Sequence, residues 1–142
     1  MTYASQADLV DRFGSAMLVD LTDRAEVATG AIDAGVIARA LADTDAAIDG
    51  YLKGRYALPL STTPPLLRDI AIAIAIYKLH RDAVGEKIRQ DYVDAEKKLL
   101  LIAGGSIRLD VAGAEPEASG TNGVRVTDRE RPLTAESLKG YI

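Results

Sequence analysis

Thr63-Pro64-Pro65-Leu66-Leu67-Arg68-Asp69-Ile70-Ala71-Ile72-Ala73-Ile74-Ala75-Ile76-Tyr77-Lys78-Leu79-His80 is the stretch whose reading decides the fold. Its centre alternates Ile and Ala, which on its own suits a buried strand, because isoleucine favours extended backbone. Three features favour a helix instead. Proline is tolerated where the first helical amides have no partner, so Thr63-Pro64-Pro65 is a start signal. The apolar run is also longer than most strands, and it continues into Lys78-Leu79-His80-Arg81. Wound as a helix, it puts Leu66, Ile70, Ile74 and Tyr77 on one side and Ile72, Ile76 and Leu79 almost opposite. A helix apolar all round must be covered all round. It is therefore either the central core helix or one whose second face meets another subunit.

Upstream, Asp33 caps a first long helix with apolar positions Val36, Ile37, Ala40, Leu41, Ala47, Ile48, Tyr51 and Leu52 at a 3.6-residue period. Lys53 and Arg55 complement its C-terminal carbonyls, and Gly54 is expected to be a left-handed cap. Arg55-Tyr56-Ala57-Leu58-Pro59-Leu60 then turns the corner into the Ile/Ala helix. Before Asp33, Ser5 and Asp8 form a capping-box pattern that opens a short helix over 6–13. Gly14 stops it, a second short helix covers 15–21, and 22–31 reads as loop. Downstream, a third long helix over 86–103 buries Ile88, Tyr92, Ala95, Leu99 and Ile102, with Leu100 and Leu101 widening its apolar sector before Gly104-Gly105. Ile107-Arg108-Leu109 is readable as a short extended segment.

The reading is all-α: three long helices preceded by two short ones, in a helical domain over 1–109. Residues 110–142 form a linker and C-terminal tail. The Ala, Gly, Glu, Ser and Pro composition of 110–123 predicts a flexible linker. Val124-Arg125-Val126 is readable as one edge strand, and 132–138 as a short terminal helix, with Leu133, Leu138 and Tyr141 available for docking.

Composition narrows the function. The chain has 142 residues, 48% hydrophobic and 27% charged, which suits an ordinary globular domain. A net charge of −4 argues against a surface built to grip nucleic-acid phosphates. With no cysteine there is no disulfide framework, thiolate metal site or cysteine nucleophile. The N-terminus has neither a basic start nor an apolar signal core, and the Ile70–Tyr77 stretch is too short to span a bilayer, so a cytoplasmic, non-membrane protein is expected.

Chemistry finds little support. His80 is the only histidine and falls near a helix end, where imidazole complements exposed carbonyls. Asp91, Asp94 and Glu96 lie among Lys87, Arg89, Lys97 and Lys98, the pattern of a solvated helix face with i,i+4 pairs. Gly30 to Gly35 lacks the Gly-Lys-Ser/Thr ending of a phosphate loop. No catalytic residue, cofactor or metal is therefore expected. Lys78, Arg81, Lys87 and Arg89 make a modest basic cluster that reads as a solvated corner or as a docking point for an acidic protein surface. Tyr56, outside the helix beside Arg55, suits packing and interface equally.

Taken in order, the signals resemble a family of small proteins of Mu-like phages and prophages whose members are taken to be head–tail connector, neck or adaptor proteins. Tyr3-Ala4-Ser5, Asp8-Leu9, Arg12-Phe13-Gly14 and Leu21-Thr22-Asp23 carry the resemblance in the first part of the chain. Ala40-Leu41, Ile48-Asp49-Gly50-Tyr51-Leu52, Arg55-Tyr56, Leu58-Pro59-Leu60 and Pro65-Leu66-Leu67 continue it. It runs on through Ile70-Ala71, Tyr77, Tyr92, Ala95, Leu99 and Gly104, and more loosely through Arg131-Pro132-Leu133 and Leu138-Lys139-Gly140-Tyr141.

The resemblance implies a structural, non-enzymatic homo-oligomer, a ring, typically twelve-fold, between the portal protein and a tail-completion or tail-terminator protein. DNA passes through its lumen without sequence-specific binding. The protein would reside in the neck of the virion and assemble in the host cytoplasm. Candidate interface residues on this reading are Arg55, Tyr56, Lys78, Arg81, Leu133, Leu138 and Tyr141. Two other classes stay open: a helical regulatory or nucleic-acid-binding module, which needs an Arg/Lys-rich exposed helix, and a small hydrolase resting on His80 or the Asp91/Asp94 pair.

Overall fold

Proline at the first turn and nearly unbroken branched aliphatics after it wind 65–79 into a helix that the rest of the chain encloses. The computed structural model describes residues 2–111. Five helices follow one another: α1 (Gln6–Phe13), α2 (Ser15–Thr22), α3 (Ala34–Leu52), α4 (Pro65–Leu79) and α5 (Glu86–Ala103). The described residues contain no strand. The all-α reading thus holds, and Ile107-Arg108-Leu109 has no ladder partner among them.

Local chemistry sets each helix start. Ser5 Oγ accepts from the Asp8 N–H at 3.2 Å while the Asp8 carboxylate accepts from the Ser5 N–H at 2.8 Å, a reciprocal cap on α1. Gly14, at φ 84°, makes the break into α2. Buried Thr22 donates its hydroxyl to the Leu18 carbonyl at 2.7 Å and accepts the Asp33 N–H at 3.0 Å, joining the end of α2 to the entry of α3. Asp33 in turn caps α3 through the amides of Gly35 and Val36.

α4 packs chiefly against α3 and α5, with α1 as a third neighbour. Ile70, Ile72, Ile74 and Ile76 are all 1–4% exposed, so both faces of the alternating run are covered within one chain. This settles the choice between a central core helix and a helix sharing a face with another subunit. Burying a large aliphatic side chain contributes about 1.5–3 kcal/mol, so these four isoleucines anchor the fold. Tyr77 of α4 stacks on Tyr92 of α5 with ring centroids 4.0 Å apart and planes 11° from parallel.

Two expectations need correction. Gly54 is not a left-handed cap: the cap of α3 is Lys53 in right-handed geometry, and the amides of Arg55 and Tyr56 both close on the Leu52 carbonyl. The glycines with positive φ are Gly14, Gly30 and Gly105. Leu100 and Leu101 do not widen the buried face of α5 but stand 59% and 46% exposed. Leu99 and Ile102 on either side of them are fully buried, so Leu100 and Leu101 fall on the face of α5 turned away from the core, which Leu109 and Val111 complete beyond the helix end. The strand over 124–126 and the helix over 132–138 lie outside the described residues.

Candidate functional site

The corner between α3 and α4 starts at Leu52, whose carbonyl accepts the Arg55 and Tyr56 amides at 2.9 and 2.8 Å. That double bond swings Tyr56 inward. The ring is 3% exposed, and its hydroxyl accepts the Leu109 N–H at 3.1 Å. Of the two roles open to Tyr56, packing is the one this chain uses. Arg55 stays half-buried, its guanidinium laid over Gly105 just beyond α5; a Cβ there would sit 2.5 Å from Arg55 Cζ. The corner is therefore fastened to the end of α5 by two neighbouring residues. The Leu58–Pro59 peptide bond in this corner is cis.

The basic cluster of the sequence divides in space. Lys78 reaches back from α4 to donate to the Asp43 carbonyl at 2.9 Å, and Arg81 is exposed just past the helix. Lys87 and Arg89 are matched along α5 by Asp91 and Glu86, so they add little net charge to that surface. A different grouping emerges. Arg24, Arg39 and Lys78 line a shallow cleft of about 260 Å³ floored by Val36, Ala40 and Leu79, with Asp43 among them. Arg24 enters from the loop after α2 and donates to the carbonyls of Leu21 and Leu79 at 3.1 and 2.8 Å. The position of Arg24 in a polar loop, far from Lys78 in sequence, gave no signal of this meeting.

The opposite edge of α3 is acidic and holds the N-terminal segment. Tyr3 donates its amide to Asp45 at 3.0 Å and its hydroxyl to Asp49. Burial, then the Asp49 carboxylate, pushes the Tyr3 hydroxyl well above the usual phenol range. Burial also raises the Asp45 carboxyl, against the Tyr3 amide, which lowers it.

A larger groove of about 420 Å³ lies where α1, α4 and α5 meet. Phe13, Ile70, Ala73, Ile76, Ile88 and Ala95 make its apolar lining. Charged pairs stand at its rim: Arg12 with Asp69 at 2.6 Å, and Lys87 with Asp91 at 2.5 Å.

The residues raised for catalysis are separately employed. Nδ1–H of His80 donates to the Ile76 carbonyl at 2.8 Å, a helix-end contact. Asp94 accepts from Gln90 at 3.0 Å and faces Lys97 at 3.8 Å, while Asp91 holds Lys87. Among the described residues no group of three His, Cys, Asp or Glu side chains is arranged to hold a metal ion. Nor is any helix among them long and apolar enough to cross a membrane. Of the candidate interface residues, Arg55, Lys78 and Arg81 reach the surface and Tyr56 does not. Leu133, Leu138 and Tyr141 lie outside the described residues.

Residues 3–128 match the family model described as "Bacteriophage Mu, Gp36". The chain is 34% identical over 145 residues to "Gene product J" of Escherichia phage Mu, covering the whole of both. It is 30% identical over 140 residues to "Mu-like prophage FluMu protein gp36" of Haemophilus influenzae, covering 99% of this chain and 98% of that one. The resemblance carried by the helix starts, the Tyr-rich corner and the Ile/Ala helix is therefore a family relationship, and the chain belongs to the Gp36 family of Mu-like phages and prophages.

Proposed function

We propose that this protein is a structural, non-enzymatic head–tail connector. It forms a ring, twelve-fold on this reading, between the portal and the tail-completion or tail-terminator protein. Packaged DNA passes through the ring without sequence-specific contacts. The observation that carries this reading is end-to-end similarity to phage proteins in a chain whose candidate catalytic side chains, His80, Asp91 and Asp94, are engaged in local helix contacts. No buried side-chain nitrogen or oxygen among the described residues lacks a hydrogen-bond partner.

Charge supports the same reading. A net charge of −4 leaves little capacity to neutralise phosphates, so DNA could slide past without being gripped. The two edges of α3 differ in sign, with Arg24, Arg39 and Lys78 on one and Asp45 and Asp49 on the other. Such an asymmetric subunit suits heterologous, head-to-tail contacts that close into a ring. Arg55, Lys78 and Arg81 are the described side chains offered to neighbours or to the portal.

Electron microscopy of virions, or of purified neck complexes, tests this. Density for the chain is expected as a ring under the portal; its absence from the neck, or its presence along the tail tube, overturns the proposal. The Arg24 cleft is the one feature that favours a nucleic-acid-binding module. Its cations are partly committed to carbonyl oxygens and share the cleft with Asp43. Strongly salt-dependent DNA binding near physiological ionic strength would make that second reading the better one.

A further inference from the structure

The groove between α1, α4 and α5 is lined by Phe13, Ala73 and Ile88, each only partly covered. The three carboxylates at its rim are matched: Asp69 by Arg12, Asp91 by Lys87, and Asp94 by Gln90 and Lys97. Lys98 is the rim cation left over, exposed and with no hydrogen bond or ion pair to a described residue. A socket of this kind suits a narrow apolar knob with a carboxylate beside it.

The loop between α2 and α3 has that form. Val27 is the most exposed large hydrophobic residue among the described ones, at 79%. Ala25-Glu26 precede it and Ala28 follows, so the tip is slim and carries one carboxylate. Glu26 is exposed and likewise has no described partner. The loop is nonetheless tied at both ends. The Asp23 carboxylate accepts the Thr29 and Gly30 amides, each at 2.9 Å, and the Thr29 hydroxyl at 3.1 Å. At the other end Arg24 donates to the Leu21 and Leu79 carbonyls. An apolar tip held this way loses little conformational freedom on docking.

We infer that Glu26 and Val27 of one copy dock in the α1/α4/α5 groove of the next, Val27 against Phe13, Ala73 and Ile88, and Glu26 facing Lys98. Charge complementarity selects this occupant. Leu100 and Leu101, the other exposed large hydrophobic residues described, adjoin Lys97 and Lys98 in sequence and would bring like charge to the socket. No residue of 23–30 lines the groove of its own chain, so knob and socket are separate patches. Contacts between different patches are heterologous and propagate around a ring or along a filament. The inference deepens the connector reading by naming a contact within the ring, and it rests on that reading for closure alone. One valine and one ion pair make a weak contact between free copies; copies seated side by side on a shared platform meet at far higher effective concentration.

The lack of cysteine makes the contact testable on the purified full chain, away from any neck protein. Val27→Cys and Ala73→Cys single variants are mixed at near-millimolar concentration and oxidised, and the linked peptides are identified by mass spectrometry. Asp91→Cys at the groove rim serves as a second socket position. The mixed disulfide is expected to form roughly tenfold faster than with Lys53→Cys, an exposed control position at the end of α3. Lys98→Glu in the socket chain should slow it about fivefold, and Glu26→Lys in the knob chain should then restore the rate. Both side chains are exposed, so the swap leaves the core intact. Equal rates at socket and control positions, or no recovery in the swapped pair, overturn the inference. So do Val27→Cys homodimers that form faster than the mixed disulfide, which would make the contact isologous. Each of these failures strikes the contact and leaves the place in the neck to electron microscopy.

Discussion

Replacing Gly105 by alanine probes the fastening between the α3–α4 corner and the end of α5. Gly105 has φ 83°, where an L side chain is strained, and its α-carbon faces the Arg55 guanidinium. A left-handed alanine costs about 1–2 kcal/mol from backbone sterics alone. The new Cβ would lie 2.5 Å from Arg55 Cζ and Nη1, so the guanidinium must also move. Because that group is the far end of a flexible side chain, its displacement adds about 0.5–1 kcal/mol, the size of a coupling between touching residues. The single variant should lose about 1.5–3 kcal/mol in all, roughly a 1 M fall in urea midpoint with the slope unchanged. In an Arg55→Ala background only the backbone part should remain, about 1–2 kcal/mol. Urea unfolding of the four proteins of the cycle, followed by far-UV circular dichroism, gives the coupling. A neutral Gly105→Ala, or strictly additive effects, would falsify the claim that Arg55 is laid over Gly105.

The same approach extends to the other supports of the fold. Tyr56→Phe leaves the Leu109 N–H buried without its acceptor, which should cost about 1–3 kcal/mol and speed amide exchange at Leu109; unchanged exchange would mean that the bond contributes nothing. Ile74→Ala should cost about 2–5 kcal/mol with an unfolding midpoint independent of protein concentration, whereas a midpoint that rises with concentration would show that a neighbouring chain covers α4. Hydrogen bonds from the Ser5 amide and hydroxyl hold the Asp8 carboxyl below its ordinary value, so the capping contribution is complete at neutral pH and fades as the pH falls through that lowered value. Ser5→Ala should therefore cost about 1 kcal/mol at neutral pH and progressively less in acid, as read from amide exchange in α1.

Much of the architecture was legible because its signals are local. The Ser5/Asp8 box, the Asp33 cap and the proline start of α4 each act within four residues, and the helices begin where those signals stand. The Ile/Ala alternation was ambiguous in period but not in context, since its start is helical and its length is too great for a strand. What stayed hidden depends on partners distant in sequence. Tyr56 is buried because Leu109, far along the chain, supplies a donor to its hydroxyl. The Arg24 cleft exists because a loop cation meets the ends of two helices. Gly54 misled for a different reason: glycine permits a left-handed cap but does not require one, and the carbonyl of Leu52 is engaged by the amides of Arg55 and Tyr56.

The contact between Tyr56 and Leu109 has a mechanical meaning. Tension on the chain beyond Val111 would meet this hydrogen bond and the buried side chains of Leu109 and Val111 before it could peel the last turn of α5. From there part of the load passes through Tyr56 into the end of α3, so that α5 does not carry it alone. The point where the tail emerges is thus a strain relief. A pull on the C-terminus would be shared between the two longest helices, and α4 would sit behind both, outside the line of force.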